Sequence, residues 1–166
     1  MPDTKHSVHN TYWVKPNEFM AGEYPGRHTE EETRQRIDSF LDAGLNTFID
    51  LTMPGELVPY EPILREQAGY YQIDVQYHRF SIGDFGTPSL QNMRTILNTI
   101  TQALKKDRKV YVHCWAGIGR TGTTVGCYLI EQGLSGEQAL QQVNEWCHYA
   151  RSPETEKQKL FIRSWQ

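Results

Sequence analysis

The sequence predicts an α/β fold in which a central, mostly parallel, twisted sheet of four to five strands is flanked by helices. Short runs of β-branched and aromatic residues alternate with longer segments whose apolar residues recur every three to four positions. Residues 46–80 have the pattern strand–helix–strand, and two strands joined by a helix pair in parallel. Helical patterns alone fill the last part of the chain, so these segments cover the sheet rather than extend it.

Five segments have the pattern of strands. Thr11–Val14 and Phe19–Ala21 lie on either side of the turn signal at residues 16–17 and predict a hairpin. The others are a buried strand at 46–51, a strand at 70–80 and a short strand at 109–113.

Capping residues mark the helix boundaries. Thr29 followed by Glu32 predicts a capping box, and the helix after it stops at Gly44. Ser89 begins a long helix whose basic residues lie near its end, which suits the helix dipole. The other helices are 59–68, about 119–132, one from Ser135 with Gln138 through Trp146, and a last one that starts at Ser152-Pro153 with Leu160, Phe161 and Trp165 as apolar anchors.

The length of the chain predicts a single domain, and its charge argues against some kinds of partner. The 166 residues include 17 Lys and Arg against 20 Asp and Glu, a formal net charge of −3. We assign one domain to residues 11–166, preceded by a polar tail at 1–10 that we expect to be disordered. The negative charge argues against a nucleic-acid binder or an anionic-membrane binder, because both need a basic surface. We expect a monomer.

The cysteines and the chain start indicate the compartment. Three cysteines, at 114, 127 and 147, cannot all pair within the chain, which favours reducing surroundings. The start has no apolar core of a signal peptide, and no apolar run approaches the roughly 20 residues of a membrane helix. We therefore expect a cytoplasmic protein without a membrane segment. Cys127 and Cys147 are expected in the core, although either could trap an oxidised Cys114 as a disulfide.

The segment Val112–Gly122, with the sequence VHCWAGIGRTG, carries the chemistry. It lies where a predicted strand ends and a helix begins, so unpaired backbone N–H groups point at whatever anion fills the turn. Gly117 and Gly119 let successive N–H groups turn inward, and Arg120 adds a planar fork that matches two phosphate oxygens. The same field stabilises the thiolate form of Cys114, which makes its sulfur a nucleophile aimed at phosphorus.

A phosphate ester also needs an acid, since an alkoxide or phenoxide leaves with a proton near neutral pH. Asp84 is the best candidate because it follows a strand, lies in a loop with Gly and Pro, and precedes Cys114 by 30 residues. Asp50 and Asp74 compete, but both lie inside predicted strands. The plain alternatives are a turn-forming aspartate at 84 and a buried core cysteine at 114.

Residues 113–121 resemble the signature His-Cys-x5-Arg-[Ser/Thr] of the cysteine-dependent protein tyrosine phosphatase superfamily, and the chain's size resembles its compact dual-specificity branch. The resemblance implies the phosphotyrosine protein phosphatase-like fold and a two-step reaction through a phosphocysteine, without metal or cofactor. It implies that Cys114 attacks phosphorus while Asp84 protonates the leaving oxygen and then activates water. The other implied roles are phosphate binding by Trp115, Ala116, Gly117, Ile118, Gly119 and Arg120, assistance to the leaving thiolate by Thr121, bracing of the loop by His113 and positioning of the hydrolytic water by Gln158.

The loop interior also bears on the substrate. Residues 115–119 contain no Lys or Arg, whereas members of the superfamily that act on inositol phosphates often carry basic residues there. We therefore expect a phosphorylated protein or small phosphate ester as substrate, with phosphotyrosine preferred and phosphoserine or phosphothreonine also accepted. The alternatives are a phosphoinositide or inositol phosphate phosphatase on the same fold and a catalytically inactive phosphate-binding module. Candidates for the rim of the site are Tyr24, Arg27, Arg79 and Trp115.

Other motifs have simpler explanations. Residues 117–122 also spell the dinucleotide fingerprint GxGxxG, but the region about 20 residues later is helical and polar, where that fold needs a second strand. Asp84-Phe85-Gly86 spells a kinase motif without the glycine-rich loop that precedes it in kinases. The six histidines show no metal-ligand spacing apart from His6 and His9 in the tail.

Overall fold

The computed structural model describes residues 8–166, within which six helices cover one five-stranded sheet. The strands are β1 (Thr11–Lys15), β2 (Phe19–Gly22), β3 (Thr47–Asp50), β4 (Gln76–Arg79) and β5 (Val110–His113). The helices are α1 (Glu30–Asp42), α2 (Glu61–Tyr70), α3 (Leu90–Lys105), α4 (Gly119–Glu131), α5 (Gly136–Trp146) and α6 (Glu156–Ser164).

The sheet has the order β1-β2-β5-β3-β4. β1 and β2 form the predicted antiparallel hairpin, and every other neighbouring pair is parallel. The predicted α/β fold with a mostly parallel sheet is confirmed. Because the carboxyl ends of parallel strands meet at one edge, the loops after β2, β3, β4 and β5 gather there, with the β5 loop in the middle.

The core has two parts, one on each face of the sheet. Successive strand residues belong to different apolar clusters: Phe48 and Tyr111 to one, Ile49 and Val112 to the other. This alternation is the period of two of a strand. Buried residues of α1 and α2 join the first cluster and those of α3 to α6 join the second, so helices cover both faces.

The predicted strand at 70–80 is wrong in its first half. α2 continues through Tyr70, and only Gln76–Arg79 pairs with β3. Ile73 and Val75 supplied the apolar alternation of a strand, but they pack on the core as part of a loop. Asp74 therefore lies on an exposed loop, where it pairs with Arg108, and not inside a strand.

The start of the last helix also differs from the prediction. Thr155 is the N-cap of α6 and forms a full capping box with Gln158. Ser152 instead donates its hydroxyl to the Ile118 carbonyl, which ties this segment to the loop after β5. Among the predicted anchors, Leu160 is exposed and Trp165 is buried. At α1, Thr29 caps the helix by accepting from the Glu32 backbone N–H.

The first residues of the domain are packed. Residues 1–7 of the expected tail at 1–10 lie outside the described residues. Val8 is buried in the core, and its carbonyl accepts a hydrogen bond from the Thr11 hydroxyl. The Asn10 amide donates to the Glu23 carboxylate at 3.1 Å. No helix within residues 8–166 has the length and apolar character needed to span a membrane.

Candidate active site

The loop after β5 is a tight turn that leads into α4. Gly117 has φ +73°, and a Cβ on it would collide with the Gly22 backbone and lie 2.6 Å from the Glu23 nitrogen. Gly119 has no room for a side chain either, because its Cβ would lie 2.8 Å from Gln158 Nε2. Gly117 is therefore required by the close approach of the β2 backbone, whereas Gly119 leaves room for the Gln158 side chain, so the loop is held between the end of β2 and the segment that leads into α6.

A cavity of about 50 Å³ opens above Cys114. It exceeds the roughly 30 Å³ that one water molecule occupies in the liquid, so it admits a slightly larger group. Three of the four residues predicted to be catalytic line it: Cys114 and Arg120 come from the segment that leads from β5 into α4, and Asp84 comes from the loop after β4. Its other lining residues are Phe85, Trp115, Ala116, Gly119 and Glu154.

Arg120 is buried and held by groups from two loops. Its Nη1 and Nη2 lie 2.8 and 2.7 Å from the two carboxylate oxygens of Glu56, and Nη1 also donates to the Ile82 carbonyl at 2.8 Å. The hydrogen bonds from Arg120 lower the pKa of Glu56, so this carboxylate is ionised. The pair is bidentate, which fixes the plane of the guanidinium.

Asp84 lies on the loop after β4, beside this guanidinium. Its Oδ1 is 3.3 Å from Arg120 Nη2 and accepts a hydrogen bond from the Phe85 backbone N–H. The side chain is 41% exposed, so a bound molecule can reach it. Phe85 has φ +62°, and its exposed ring stands next to the cavity.

His113 lies beneath the loop and is fully buried. Its Nδ1 is 3.3 Å from the Cys114 carbonyl oxygen, and its Nε2 is 2.6 Å from the Tyr60 hydroxyl. Since the carbonyl can only accept, Nδ1 carries the proton and Nε2 accepts from Tyr60. Burial lowers the pKa of His113 although the Asp50 charge opposes the shift, and the ring is neutral. These two contacts suit the role expected for His113, which is to hold the loop after β5 in place.

Two further predicted residues lie next to the loop. Thr121 is fully buried, and its hydroxyl has no hydrogen-bond partner among residues 8–166. Gln158 is fully buried beside Gly119 and does not line the cavity. Its Oε1 accepts from the backbone N–H groups of Glu154 and Thr155, which precede α6. Its Nε2 donates at 3.2 Å to the Gly86 carbonyl in residues 80–89, the loop after β4, which we call the acid loop because the sequence predicts Asp84 as the acid.

Three of the four rim candidates lie together. Tyr24, Arg27 and Trp115 line a second cavity next to the first. Arg79 instead donates to the buried Asp50 at 3.2 Å, below the loops. Burial raises the pKa of Cys127 and of Cys147, which suits inert core thiols.

Sequence reasoning missed two carboxylates of the site. Glu56 follows a turn after β3, and Glu154 precedes the cap of α6; neither belongs to a recognisable motif. The signal available for both was topological, since each lies in a segment that borders the loop after β5. Within residues 8–166, no group of three or more His, Cys, Asp or Glu residues is arranged to hold a metal ion.

Known proteins share this fold and parts of the sequence. A protein tyrosine phosphatase domain-containing protein 1 of Mus musculus is 32% identical over 136 residues, which are 77% of this chain and 18% of that protein. A cyclin-dependent kinase inhibitor 3 of Homo sapiens is 28% identical over 122 residues, which are 72% of this chain and 55% of that protein. The chain thus spans less than two thirds of the length of these relatives.

Solved structures agree with this comparison. A kinase associated phosphatase with serine in place of its catalytic cysteine superposes with a TM-score of 0.75 at 21% identity, over 93% of this chain and 92% of that one. PTPMT1 in complex with PI(5)P superposes with a TM-score of 0.70 at 18% identity, over 93% and 92% of the two chains.

The fold and the Cys-x5-Arg loop together define a member of the compact, dual-specificity-like branch of the protein tyrosine phosphatase superfamily. A family model described as "Polymorphic toxin system, DSP-PTPase phosphatase" matches residues 23–134, which is more than half of the chain. The chain belongs to this family.

Proposed function

We propose that this chain hydrolyses phosphate monoesters through a phosphocysteine, with protein phosphotyrosine as the preferred substrate. One observation carries the proposal: Cys114, Arg120 and Asp84 line the same small cavity, although Asp84 comes from the loop after β4 and the other two come from the segment that leads from β5 into α4. A nucleophile, a cation for the phosphoryl oxygens and an acid for the leaving group are the three parts that this chemistry needs.

The residues that line the cavity favour an aromatic phosphate ester as the substrate. Phe85 and Trp115 both line it, and they are 56% and 58% exposed. Two exposed aromatic side chains beside a phosphate-sized cavity suit the phenyl ring of phosphotyrosine, which packs against aromatic faces. A phosphoserine or phosphothreonine side chain would make fewer of these contacts.

In the first step, the Cys114 thiolate attacks phosphorus, so that an S–P bond forms while the P–O bond to the leaving group breaks. Asp84 gives its proton to the departing oxygen. Arg120 binds the phosphoryl oxygens through N–H groups that Glu56 leaves available, and backbone N–H groups of the loop bind the rest of the developing charge.

In the second step, Asp84 takes a proton from a water molecule as that water attacks phosphorus. The S–P bond breaks, inorganic phosphate leaves and the sulfur returns as a thiolate. The unpartnered hydroxyl of Thr121 supports a role here, since it is free to donate a hydrogen bond to the departing sulfur. Gln158 would assist by orienting the water through Nε2, which requires that its contact to Gly86 opens.

A phosphate-release assay tests the proposal with p-nitrophenyl phosphate, phosphotyrosine, phosphoserine and phosphoinositide substrates. Cys114→Ser should abolish turnover while vanadate still binds. Asp84→Asn should lower kcat by about 10²–10⁴ with phosphotyrosine, and less with p-nitrophenyl phosphate, whose leaving group needs less help from an acid.

Glu154→Gln is the matched control for the acid, because Glu154 is the other carboxylate that lines the cavity together with Asp84. If Glu154→Gln lowers kcat for phosphotyrosine more than Asp84→Asn does, then Glu154 is the acid. If Cys114→Ser retained turnover, Cys114 would not be the nucleophile and the proposal would be rejected. A clear preference for phosphoinositides would replace the protein substrate by a lipid; PTPMT1, which shares this fold, is known in complex with PI(5)P.

A further inference from the structure

Exposed apolar side chains gather around the catalytic cavity. Met53 and Val58 lie on the loop after β3, Phe85 on the loop after β4 and Trp115 on the loop after β5. Val58 is 82% exposed. Single exposed apolar residues are ordinary, but a patch of them beside a concave site marks a binding surface.

Part of this patch forms a groove with a volume of about 310 Å³. This volume corresponds to about ten water molecules of the liquid, enough for a large side chain. The apolar lining comes from Tyr24, Leu57, Val58 and Trp115. Because Trp115 also lines the catalytic cavity, the groove and that cavity share a wall.

The walls of the groove are fixed by Tyr24. Its backbone N–H donates to the Trp115 carbonyl at 2.9 Å, and its hydroxyl donates to the Val58 carbonyl at 2.6 Å. The ring packs edge to face against Tyr60 and His113. Burial raises the pKa of Tyr24 to about 12, so the hydroxyl remains a donor. The groove is therefore built before any ligand binds.

The two oppositely charged side chains that line the groove, Glu23 and Arg27, form an ion pair: Arg27 Nη2 lies 2.6 Å from Glu23 Oε1. The same oxygen is also 3.1 Å from Arg36 Nη2, which lies outside the lining of the groove. A second phosphate would have to compete with Glu23 for Arg27, the one arginine among the residues that line the groove. The groove therefore suits an uncharged, apolar group.

We infer that this groove binds a bulky apolar side chain adjacent to the phosphotyrosine of a protein substrate. The inference rests on the proposed function. In an extended peptide a residue one or two positions away lies about 3.5–7 Å further along the chain, which crosses the shared Trp115 wall. A membrane surface is less suitable, because the Glu154 carboxylate that lines the cavity would repel anionic lipids.

The test uses the full chain and short phosphotyrosine peptides that differ only in one neighbour of phosphotyrosine, Leu or Ser, on either side. Each kcat/KM is divided by that of the same variant for p-nitrophenyl phosphate, which removes effects on the chemical step. The wild type should prefer the Leu peptide by about tenfold or more on one side. Val58→Ser should reduce this preference at least about threefold.

Tyr70→Ser is the matched control, since Tyr70 is 79% exposed and lies at the end of α2 away from the site. It should leave the preference unchanged. Equal hydrolysis of Leu and Ser peptides, or a preference that survives Val58→Ser, would overturn the inference while leaving the phosphatase intact. Faster release from phosphoinositide vesicles than from any peptide, with loss in Val58→Ser, would assign the groove to lipid. No release from any aryl phosphate would reject the proposed function itself.

Discussion

Arg120 presents two edges of its guanidinium to two different groups. The Glu56 carboxylate accepts hydrogen bonds from the end edge, which is formed by Nη1 and Nη2. The side edge, formed by Nε and Nη2, faces the cavity, where Asp84 lies 3.3 Å from Nη2. In the proposed mechanism, a phosphoryl group that binds this side edge would displace Asp84 from the arginine and leave its carboxyl group free for the leaving oxygen. Glu56 thus orients the arginine without competing for the same edge.

Replacing Glu56 tests this arrangement. Glu56→Gln removes one acceptor and the charge, so the guanidinium loses its fixed plane, and a lost hydrogen bond between charged groups is worth about 1.5–3 kcal/mol. We expect kcat/KM for p-nitrophenyl phosphate to fall about 10- to 100-fold, and the melting temperature to fall by about 3–12 °C. Glu61→Gln, which breaks a surface pair with Arg65, serves as the control. A rise in kcat/KM would show that Glu56 competes with phosphate.

The sequence could predict the residues that lie within one motif but not those that complete it from elsewhere. Cys114 and Arg120 are found from their spacing, because one turn between a strand and a helix places both. Glu56 lies 64 residues before Arg120, and their meeting depends on β3 and β5 being neighbours in the sheet. That neighbour relation is a property of the topology, and local patterns do not contain it.

At the scale of elements, α6 and the acid loop are joined through one side chain. Gln158 completes the capping box of α6 with Oε1 and reaches the Gly86 carbonyl with Nε2. Gln138 has the same place in the capping box of α5 but has no contact to the acid loop among its hydrogen bonds within residues 8–166. A comparison of the two glutamines therefore separates the capping role from the catalytic role proposed for Gln158.

Gln158→Ala and Gln138→Ala should each lose the glutamine half of the capping box, while the N-cap hydroxyl keeps its bond from the backbone N–H, at a cost of about 0.5–1 kcal/mol with a further loss for the buried Gln158. We expect only Gln158→Ala to lower kcat, by about tenfold. Rapid-mixing experiments identify the step: a burst of p-nitrophenol means that hydrolysis of the phosphocysteine is slowed and that Gln158 orients water. A lower rate without a burst means that the acid loop has lost its position. An unchanged kcat would exclude both roles.

The helix that contains Gln158 also shows where element prediction fails. The pair Ser135 and Gln138 and the pair Thr155 and Gln158 form equivalent capping boxes. The second was overlooked because Ser152-Pro153 also has the pattern of a helix start. What decides between them is the Ser152 hydroxyl, which is held 2.6 Å from the Ile118 carbonyl in a loop that is remote in sequence.

At the scale of the whole molecule, one row of residues crosses the parallel sheet at the edge that carries the site. The strand pairings place Gly22, His113, Asp50 and Arg79 side by side as the last residues of their strands. Asp50 accepts hydrogen bonds from its neighbours in this region, including the Tyr77 hydroxyl at 2.6 Å. The row supports the loop above it, and its buried polar groups must stay paired to be tolerated.

This row makes stability depend on pH through His113. Burial lowers its pKa below the usual 6.5, so above pH 6.5 the imidazole is neutral in both the folded and the unfolded chain. Below pH 6.5 the unfolded chain takes up a proton that the folded chain does not, so the unfolded state is stabilised relative to the folded state. The free energy of unfolding should therefore fall as the pH drops from 6.5 towards the folded pKa, by at most about 1.4 kcal/mol per pH unit for this proton.

Urea unfolding at pH 7.5, 6.5 and 5.5 measures this dependence. His113→Gln should be less stable than the wild type throughout, because Tyr60 loses its partner, but its stability should change less with pH. The pKa of His78 is also lowered, by partial burial, so His78→Gln removes a separate contribution of the same sign. A wild-type stability that is constant between pH 7.5 and 5.5 would mean that His113 takes up its proton as readily in the folded protein as in water. In that case a charged imidazolium, and not a neutral ring, would lie beneath Cys114 below pH 6.5.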